Sequence, residues 1–337
     1  MQLIDFNSSR KILKFYGGNA GRKICIEGPD GEPWMLKFPE STAGMRGRVA
    51  SYTTSPLSEW LGSHIYEEQG LPVHKTLLGF REGKIVCACK DFTYPDKTLT
   101  TFHDLKNSLS DDLEGMYANR PSDGRSLYLA DILSAIEDSS ASIDSGLLRE
   151  RFWDMFIIDT FIGNADRNNE NWGVLSRNGA ITGLAPVYDN GNSFFSKRRE
   201  SVLERRSKSQ ESLIQDAVGG AQSCYLKDDG HHINPLKYIT SLADEQCNAA
   251  LLRFMERLDM NQIRGLIEGL PEEFLNFTVM PEAAKEFHIG VLEQRIERYY
   301  SPAAAELCRR HEDISGRDAE EDSRQEDEDQ ERPEDPS

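Results

Sequence analysis

The stretch that most constrains this chain covers residues 161–194, where two acidic sites flank a predicted β-hairpin. Asp166 and Asn171 lie before the hairpin, and Asp189 lies after it. Short apolar strands are predicted on both sides of an Asn-Gly pair at residues 178–179, which is the strongest short-range signal for a two-residue hairpin turn. Because a hairpin brings its outer ends together, the three polar side chains are expected to converge.

Two carboxylates and one amide carbonyl are oxygen ligands of the kind that Mg²⁺ takes beside substrate phosphates. In the kinase catalytic loop an Asp is also followed by Asn five residues later, which is the spacing of Asp166 and Asn171. Asp189, which precedes Asn-Gly, resembles the metal-binding Asp that kinases have after the catalytic loop. Each cluster taken alone is also explained as a turn, because Asp, Asn and Gly are common turn residues. Together with the hairpin, they favour phosphoryl transfer.

The length, cysteines and apolar runs set limits on the class of protein. A chain of 337 residues has room for two lobes with separate cores. Its six cysteines lack the paired spacing of a zinc finger, which favours reduced and mostly buried thiols. No apolar run approaches the ~18 residues that a membrane span needs, and the first residues lack the pattern of a signal peptide. We therefore expect a cytoplasmic protein without a stable membrane anchor, with export left open.

The formal net charge of −18 is unevenly distributed. Residues 312–337 contain 13 acidic and 3 basic residues, so the first 311 residues carry a net charge of −8. A nucleic-acid-binding protein is expected to show a basic surface, so direct nucleic-acid binding is excluded. The acidic tail has almost no apolar residues to bury and is expected to be disordered.

The N-terminal part, residues 1–92, is predicted to be rich in strands with one helix. Lys37 lies inside an apolar strand, where a lysine must either extend to water or meet an anion. Glu59 lies in the first turns of a helix that begins near Ser55 and Pro56. In kinases a strand lysine binds the α- and β-phosphates and pairs with a helix glutamate, although Glu59 is also explained by the helix dipole.

Two further segments of this part are candidates for nucleotide contacts. Gly17, Gly18 and Gly21 precede the first long strand, so their backbone N–H groups could approach phosphates, and a flexible hairpin is the alternative. Cys89 and Asp91 lie where a chain of this order leaves the sheet and where a kinase has its adenine-binding hinge. The alternative for this segment is a strand end that exposes polar residues.

Residues 93–311 are predicted to be mainly helical, with the acidic hairpin inside them and the tail beyond. The complete prediction is an α+β, two-lobed, protein-kinase-like fold. It has a small β-rich N-lobe with one key helix (1–92), a larger, mostly helical C-lobe (93–311) and a disordered acidic tail (312–337).

The motifs together resemble the HipA-like serine/threonine kinases, in particular their compact, stand-alone type. The resemblance covers roughly residues 10–300. The motifs that carry it are Trp-Met-Leu-Lys-Phe-Pro at 34–39, Ser-Glu at 58–59, Gly-Asn-Ala-Asp at 163–166 with Asn171, and Tyr-Asp-Asn-Gly at 188–191. Two positions depart from the family pattern. Asn168 stands where the family usually has His, and Gly17-Gly18 replaces a loop serine that the toxin branch autophosphorylates.

The resemblance implies ATP- and Mg²⁺-dependent phosphorylation of Ser/Thr hydroxyls in protein substrates, often with autophosphorylation, and allows for a regulatory, antitoxin-like partner. It assigns Asp166 as the catalytic residue and Asn171 and Asp189 as Mg²⁺ ligands. Lys37 would hold the α/β-phosphates, with Glu59 fixing Lys37.

Two alternatives remain at this point. The pattern Asp-Arg-x-x-x-Asn-Trp followed by Asp-Asn-Gly also resembles the type II phosphatidylinositol 4-kinases. Those act at membranes, whereas this chain has neither clustered cysteines for palmitoylation nor a strong basic amphipathic helix. The other alternative is a nucleotide-binding pseudokinase or scaffold. It is disfavoured because Lys37, Asp166, Asn171 and Asp189 are all present.

Overall fold

The computed structural model describes residues 2–17, 21–45, 49–109, 125–141 and 143–312. Its N-terminal part is built on a six-stranded sheet. The strands are β1 (Ile4–Asp5), β2 (Lys11–Ile12), β3 (Lys23–Glu27), β4 (Pro33–Lys37), β5 (Thr76–Arg81) and β6 (Lys84–Lys90). Their order is β1-β5-β6-β4-β3-β2, and all neighbours are antiparallel except β1 and β5.

Among the described residues of this lobe there is one helix, α1 (Ser55–Glu68), which packs against β5 and β6. Pro56 lies in its first turn, where its fixed φ fits the helix and its missing N–H costs no hydrogen bond. The N-cap is Thr54, one residue before the predicted Ser55, and its side chain makes no capping bond. The helix carries Glu59 on the side that faces the sheet and the C-terminal lobe.

Strand alternation decides where Lys37 points. Trp34 and Leu36 join a small apolar cluster on one face of the sheet, together with Ile26 and Val86. Because successive side chains of a strand point to opposite faces, Lys37 points to the other face, toward α1. That face belongs to the main core, which continues from α1 into the helical lobe.

A second sheet holds the predicted hairpin, which the structure confirms with three of its four strand ends shifted by one residue. It consists of β7 (Thr98–Thr101), β8 (Gly173–Arg177) and β9 (Ala180–Leu184) in that order. At the turn, Asn178 and Gly179 both have positive φ, +52° and +79°, as an Asn-Gly hairpin turn requires. β7 lies just before residues predicted to be helical and was not anticipated.

The rest of the described chain is mainly helical, as predicted. The helices are α2 (Phe102–Leu109), α3 (Leu129–Asp138), α4 (Ser145–Ile162), α5 (Glu200–Ser207), α6 (Gln210–Gly219), α7 (Pro235–Ser241), α8 (Glu245–Arg257), α9 (Met260–Glu268) and α10 (Glu282–Arg295). A π-helical turn (Ile296–Tyr300) leads from α10 into a helix over 301–312. Two-residue strands β10 (Glu273–Phe274) and β11 (Phe277–Thr278) form a small hairpin.

Helix α4 delivers the chain to the first acidic site. It ends at Ile162, and its C-cap is Gly163, whose φ of +73° is the left-handed conformation that favours glycine. A Cβ there would also lie 2.8 Å from the carbonyl oxygen of Gly220. The chain therefore turns sharply into the loop that contains Asp166.

Within the part of the chain that the structure describes, no helix is both long and apolar enough to cross a membrane. Residues 313–337 of the predicted disordered tail lie outside the described residues. The domain limits at residues 92 and 311 stay a prediction.

Candidate active site

Lys37 connects the two lobes. Its Nζ lies 2.8 Å from Oε2 of Glu59 on α1 and 2.9 Å from Oδ1 of Asp189, which follows the hairpin. The Lys37 side chain is 13% exposed and Glu59 is fully buried, whereas Asp189 is 34% exposed. The sequence-based pairing of the strand lysine with the helix glutamate therefore has the geometry expected of it.

Glu59 is held by more than Lys37. Its Oε1 lies 3.0 Å from Nε2 of His74 and accepts a hydrogen bond from the backbone N–H of Asp189 at 3.2 Å. Burial alone would raise the pKa of Glu59, but the Lys37 ammonium and the His74 hydrogen bond hold it well below its usual range. The carboxylate is therefore ionised across the physiological pH range. The sequence reasoning did not include His74.

The segment after Asp189 locks α1 in place. The side-chain amide of Asn190 donates to Ser63 Oγ at 3.1 Å, and Ser58 Oγ donates to the carbonyl of Ser193 at 2.9 Å. Gly62 makes this approach possible, because a Cβ there would lie 2.7 Å from Cβ of Asn190. α1 is thus docked against the Asp189-Asn190-Gly191 segment, with Glu59 turned inward.

Asp166 lies in the loop after α4, and its side chain is exposed to the cleft. The Asn168 amide donates to Asp166 Oδ1 at 2.8 Å, so the residue that replaces the family's His contacts the candidate catalytic carboxylate directly. Desolvation by the cleft walls raises the pKa of Asp166, the nearby Asp189 charge raises it further, and the Asn168 hydrogen bond lowers it. The net shift is upward, toward the pKa range of a base that works near neutral pH.

Asn171 is fixed by the same loop. Its Nδ2 donates to the backbone carbonyl of Asp166 at 2.7 Å, which leaves its amide oxygen as the atom that could meet a cation. Asp189 uses Oδ1 for Lys37 and has a second carboxylate oxygen. Both donors are oxygen atoms, and Asp189 is partly exposed, which suits Mg²⁺ because it retains waters and binds through one or two protein carboxylates.

The loop depends on Arg167, which the sequence reasoning missed. Its guanidinium, 2% exposed, contacts Asp159 of α4, the carbonyls of Asn171 and Tyr188, and Oδ1 of Asn190. One side chain therefore joins the two acidic sites. An Arg directly after the candidate catalytic Asp is the sequence signal that could have shown it.

A cleft of about 560 Å³ lies between the lobes. Lys37, Asn171 and Asp189 line one end, and Cys89 and Asp91 line another. This volume falls within the ~300–1,000 Å³ of small-molecule sites. A second cavity of about 360 Å³ lies beside it, shares Lys37 and Asp189, and contains Asp166.

The segment before β3 covers the cleft at the end of β6. Tyr16 OH donates to Asp91 Oδ2 at 3.0 Å, and Lys14 Nζ contacts the same oxygen. The other oxygen accepts from Thr93 N–H at 3.0 Å and from Thr93 Oγ1 at 2.6 Å. Both oxygens of Asp91 therefore have protein partners, which bind the covering segment to the chain where it leaves β6. Burial alone would raise the pKa of Asp91, and these contacts lower it.

The three candidate glycines lie in different positions. Gly17 lines the cleft, and its carbonyl accepts from Lys23 Nζ at 3.2 Å. Gly21 has φ of +63° and packs against Phe38 and Glu40, where a Cβ would lie 2.9 Å from Glu40 Cγ. Gly21 thus serves the tight turn into β3. Gly18 lies outside the described residues, so its predicted phosphate contact stays a prediction.

Comparison with known proteins decides the family. Residues 11–258 match the model of the HipA-like C-terminal domain. The chain belongs to this family. A curated relative, the serine/threonine-protein kinase CtkA of Helicobacter pylori, is 34% identical over 316 residues, covering 92% of this chain and 91% of the relative. The enzyme class predicted from the sequence, a serine/threonine protein kinase, is confirmed by this similarity.

Solved structures confirm the predicted fold. The crystal structure of the H. pylori proinflammatory kinase CtkA matches 90% of this chain and 98% of its own, with a TM-score of 0.78 and 31% identity. The HipA protein in a HipA, HipB and operator DNA complex from Shewanella oneidensis matches 90% of this chain and 75% of its own, with a TM-score of 0.51 and 12% identity. That second likeness concerns the fold alone. The two-lobed, kinase-like architecture of a compact HipA-like kinase is therefore confirmed.

Proposed function

We propose that this kinase uses ATP and Mg²⁺ to transfer the γ-phosphate to Ser/Thr hydroxyls of protein substrates. The observation that carries the proposal is the position of Lys37, whose Nζ lies within 2.9 Å of both Glu59 and Asp189. A buried lysine between two carboxylates from different lobes is the arrangement that an active kinase needs to hold phosphates.

Asp166 is the proposed proton acceptor. As the acceptor hydroxyl oxygen attacks the γ-phosphorus and the bond to the β-phosphate oxygen breaks, the hydroxyl proton passes to the Asp166 carboxylate. The raised pKa of Asp166 makes that carboxylate a better base than an ordinary aspartate. Its hydrogen bond from Asn168 orients it toward the smaller cavity, where the acceptor would enter.

Lys37 would contact the α- and β-phosphates, and Glu59 would keep its amine in place. Asn171 and Asp189 would hold Mg²⁺ through their free oxygen atoms, and the bound ion would neutralise negative charge on the phosphates. The protein's own contribution is to fix these oxygen atoms before the nucleotide arrives, through Arg167 and the docked helix α1.

The nucleotide would occupy the larger cleft, with its base toward Cys89 and its phosphates toward Lys37. Gly17, on the covering segment, would lie over the nucleotide. Asp91 would contact the ribose only after giving up a contact to Lys14, Tyr16 or Thr93, so we assign it first to holding the covering segment. Autophosphorylation and a regulatory, antitoxin-like partner belong to this proposal as predictions.

The deciding experiment incubates purified full-length protein with γ-labelled ATP and Mg²⁺, in one reaction with a generic basic protein and in another with phosphoinositide vesicles. Asp166→Asn is the test variant. Asp138→Asn, which removes an exposed carboxylate at the end of α3, is the matched control. We expect label on serine or threonine of protein in the wild type and in Asp138→Asn, and about 10²–10⁴-fold slower labelling in Asp166→Asn.

Label found only in lipid would contradict this proposal and indicate a phosphatidylinositol kinase. Label in neither acceptor and none on the protein itself would contradict phosphate transfer and favour a nucleotide-binding scaffold. Equal label in Asp166→Asn and in the wild type would contradict the role of Asp166.

A further inference from the structure

A compact group of metal-binding side chains lies behind Lys37, apart from the oxygen ligands of the cleft. Glu59 comes from α1, His74 from the segment before β5, and Cys89 from β6. All three are buried, and one ligand atom of each lies within 4.8 Å of the other two. Glu59 Oε1 and His74 Nε2 are already only 3.0 Å apart.

We propose that Glu59, His74 and Cys89 form a binding site for one Zn²⁺ ion, and that the bound ion inhibits the kinase. A carboxylate oxygen, an imidazole nitrogen and a thiolate sulfur form the mixed ligand set that zinc accepts in proteins. Mg²⁺ takes oxygen ligands, so the thiol and imidazole would select against the ion proposed for Asn171 and Asp189. Zinc binding at this site does not depend on the proposed function. Only the claim that zinc inhibits the kinase rests on the proposed function.

No sequence pattern indicates this site, because its ligands lie on three separate segments at no recognisable spacing. The fold brings them together through the pairing of β5 with β6 and the packing of α1 on both strands. This differs from a zinc-finger motif, whose ligands come in closely spaced pairs.

Little movement is needed for coordination. Bond lengths of ~2.0–2.3 Å imply ligand-to-ligand distances of roughly 3.3–3.8 Å at a tetrahedral ion. The Glu59–His74 pair must open slightly, and Cys89 Sγ must approach the pair. Water from the cleft would supply the fourth ligand, because the site lines that cavity.

The charges of the cluster also favour a cation. Glu59 and Asp189 are negative and Lys37 is positive, so these contacting groups carry a net charge of −1. When Zn²⁺ binds, the Cys89 S–H bond breaks, a Zn–S bond forms and the proton leaves to solvent. The Nε2 proton that His74 shares with Glu59 leaves to solvent while Nδ1 carries the ring's proton, so the neutral ring coordinates through Nε2. No electron is transferred. The group then becomes neutral, a favourable change for a buried site.

The cleft explains both how an ion reaches the site and why its binding would inhibit the kinase. His74 and Cys89 line the larger cavity together with Lys37, so an ion can reach the site through the space proposed for the nucleotide. Coordination would take Glu59 Oε1 away from the N–H of Asp189 and withdraw negative charge from Lys37. The phosphate-holding lysine would lose part of its support, and activity would fall.

Cobalt provides a direct probe, because Co²⁺ occupies zinc sites and its thiolate ligands give a strong near-ultraviolet charge-transfer band. Full-length protein freed of metal with a chelator is titrated with Co²⁺ and then with Zn²⁺. We expect the band to saturate at one Co²⁺ per chain, to vanish on Zn²⁺ addition, and to be absent in Cys89→Ser. His74→Ala should weaken binding at least tenfold.

Cys247→Ser and Cys308→Ser are the matched controls, since one thiol is buried in the helical lobe and the other is exposed. Both should retain the band. A band that persists in Cys89→Ser, or disappears in Cys308→Ser, would overturn the site and indicate adventitious thiol binding. If Cys89→Ser folds poorly by thermal denaturation, Cys89→Ala and the His74→Ala titration still test the assignment.

The activity measurement separates the two proposals. Phosphate transfer is measured with increasing Zn²⁺ at fixed excess Mg²⁺, and each variant is normalised to its own rate in chelator. We expect wild-type inhibition that chelator reverses, and at least tenfold lower zinc sensitivity in Cys89→Ser. A cobalt band without any phosphate transfer would contradict the kinase proposal and leave the site standing. Phosphate transfer without a cobalt band would contradict the site alone.

Discussion

Arg167 and Asp159 form a buried ion pair, with Arg167 Nε donating to Asp159 Oδ2 at 2.8 Å and Nη2 donating to Oδ1 at 3.1 Å. Asp159 belongs to α4, and Arg167 directly follows the candidate catalytic Asp166. The same guanidinium donates to the carbonyl of Asn171 at 2.9 Å and to Oδ1 of Asn190 at 2.5 Å. The loop geometry that sets the two acidic sites therefore depends on one side chain with no direct role in the chemistry.

Arg167→Lys tests this dependence. A lysine keeps the charge but cannot donate in four directions, so Asp159 and Asn190 would lose buried partners. Leaving a buried hydrogen-bonding group without its partner costs about 1–3 kcal/mol, and we expect the free energy of unfolding to fall by that order. Chemical denaturation measures it. Arg177→Lys, in an exposed pair with Asp96, is the control and should change stability by no more than about 1 kcal/mol.

Asp166→Asn should separate chemistry from binding. The amide keeps the size of the side chain but cannot accept the hydroxyl proton, so kcat is expected to fall by about 10²–10⁴-fold. Nucleotide affinity, measured by titration with Mg²⁺ present, should change little, because Lys37 and Asp189 are untouched. A large loss of affinity with little loss of kcat would instead place Asp166 in nucleotide binding.

The pH profile tests the environment of the same carboxylate. Because the pKa of Asp166 is raised by desolvation, the rate should fall with decreasing pH at a higher pH than an ordinary aspartate would allow. Asn168 donates to the ionised form and so lowers that pKa. Asn168→Ala should therefore move the acid limb of kcat/KM to higher pH. A limb that moves the other way would contradict the assignment of Asp166 as the base.

Local signals account for most of what the sequence predicted correctly. The Asn-Gly turn fixed the hairpin at residues 178–179, and with it the approach of Asp166 and Asp189, because such turns join neighbouring strands. Lys37 was recognised because a charge in an apolar strand needs a partner, and Glu59 because it opens the helix downstream. These inferences need only spacing within short segments and the general properties of strands and helices.

The missed features depend on contacts between distant segments. His74 meets Glu59 only because β5 and α1 pack together, and nothing in its local sequence indicates an ionic partner. β7 was missed because it is completed by pairing with β8, more than 70 residues later. Tertiary packing decides such cases.

His288 provides a test of stability that is independent of the active site. It is buried in α10 with its ring against Phe194 and Phe287, and the positive charges of Arg198 and Arg295 lie near. Burial, with a contribution from both arginines, lowers the pKa of His288 to about 3. The folded protein therefore keeps this imidazole neutral at pH values where the unfolded chain would protonate it.

Because the unfolded chain binds one more proton between the unfolded pKa of about 6.5 and the folded pKa of about 3, stability should fall as the pH decreases through this range. The loss attributable to His288 is about 2 kcal/mol between pH 7 and pH 5. His288→Gln cannot gain this proton, so its free energy of unfolding should depend less steeply on pH, whatever its stability at pH 7. Denaturant unfolding of both proteins at several pH values measures the difference. Parallel pH profiles would show that folding does not lower the pKa of His288, and they would contradict this prediction.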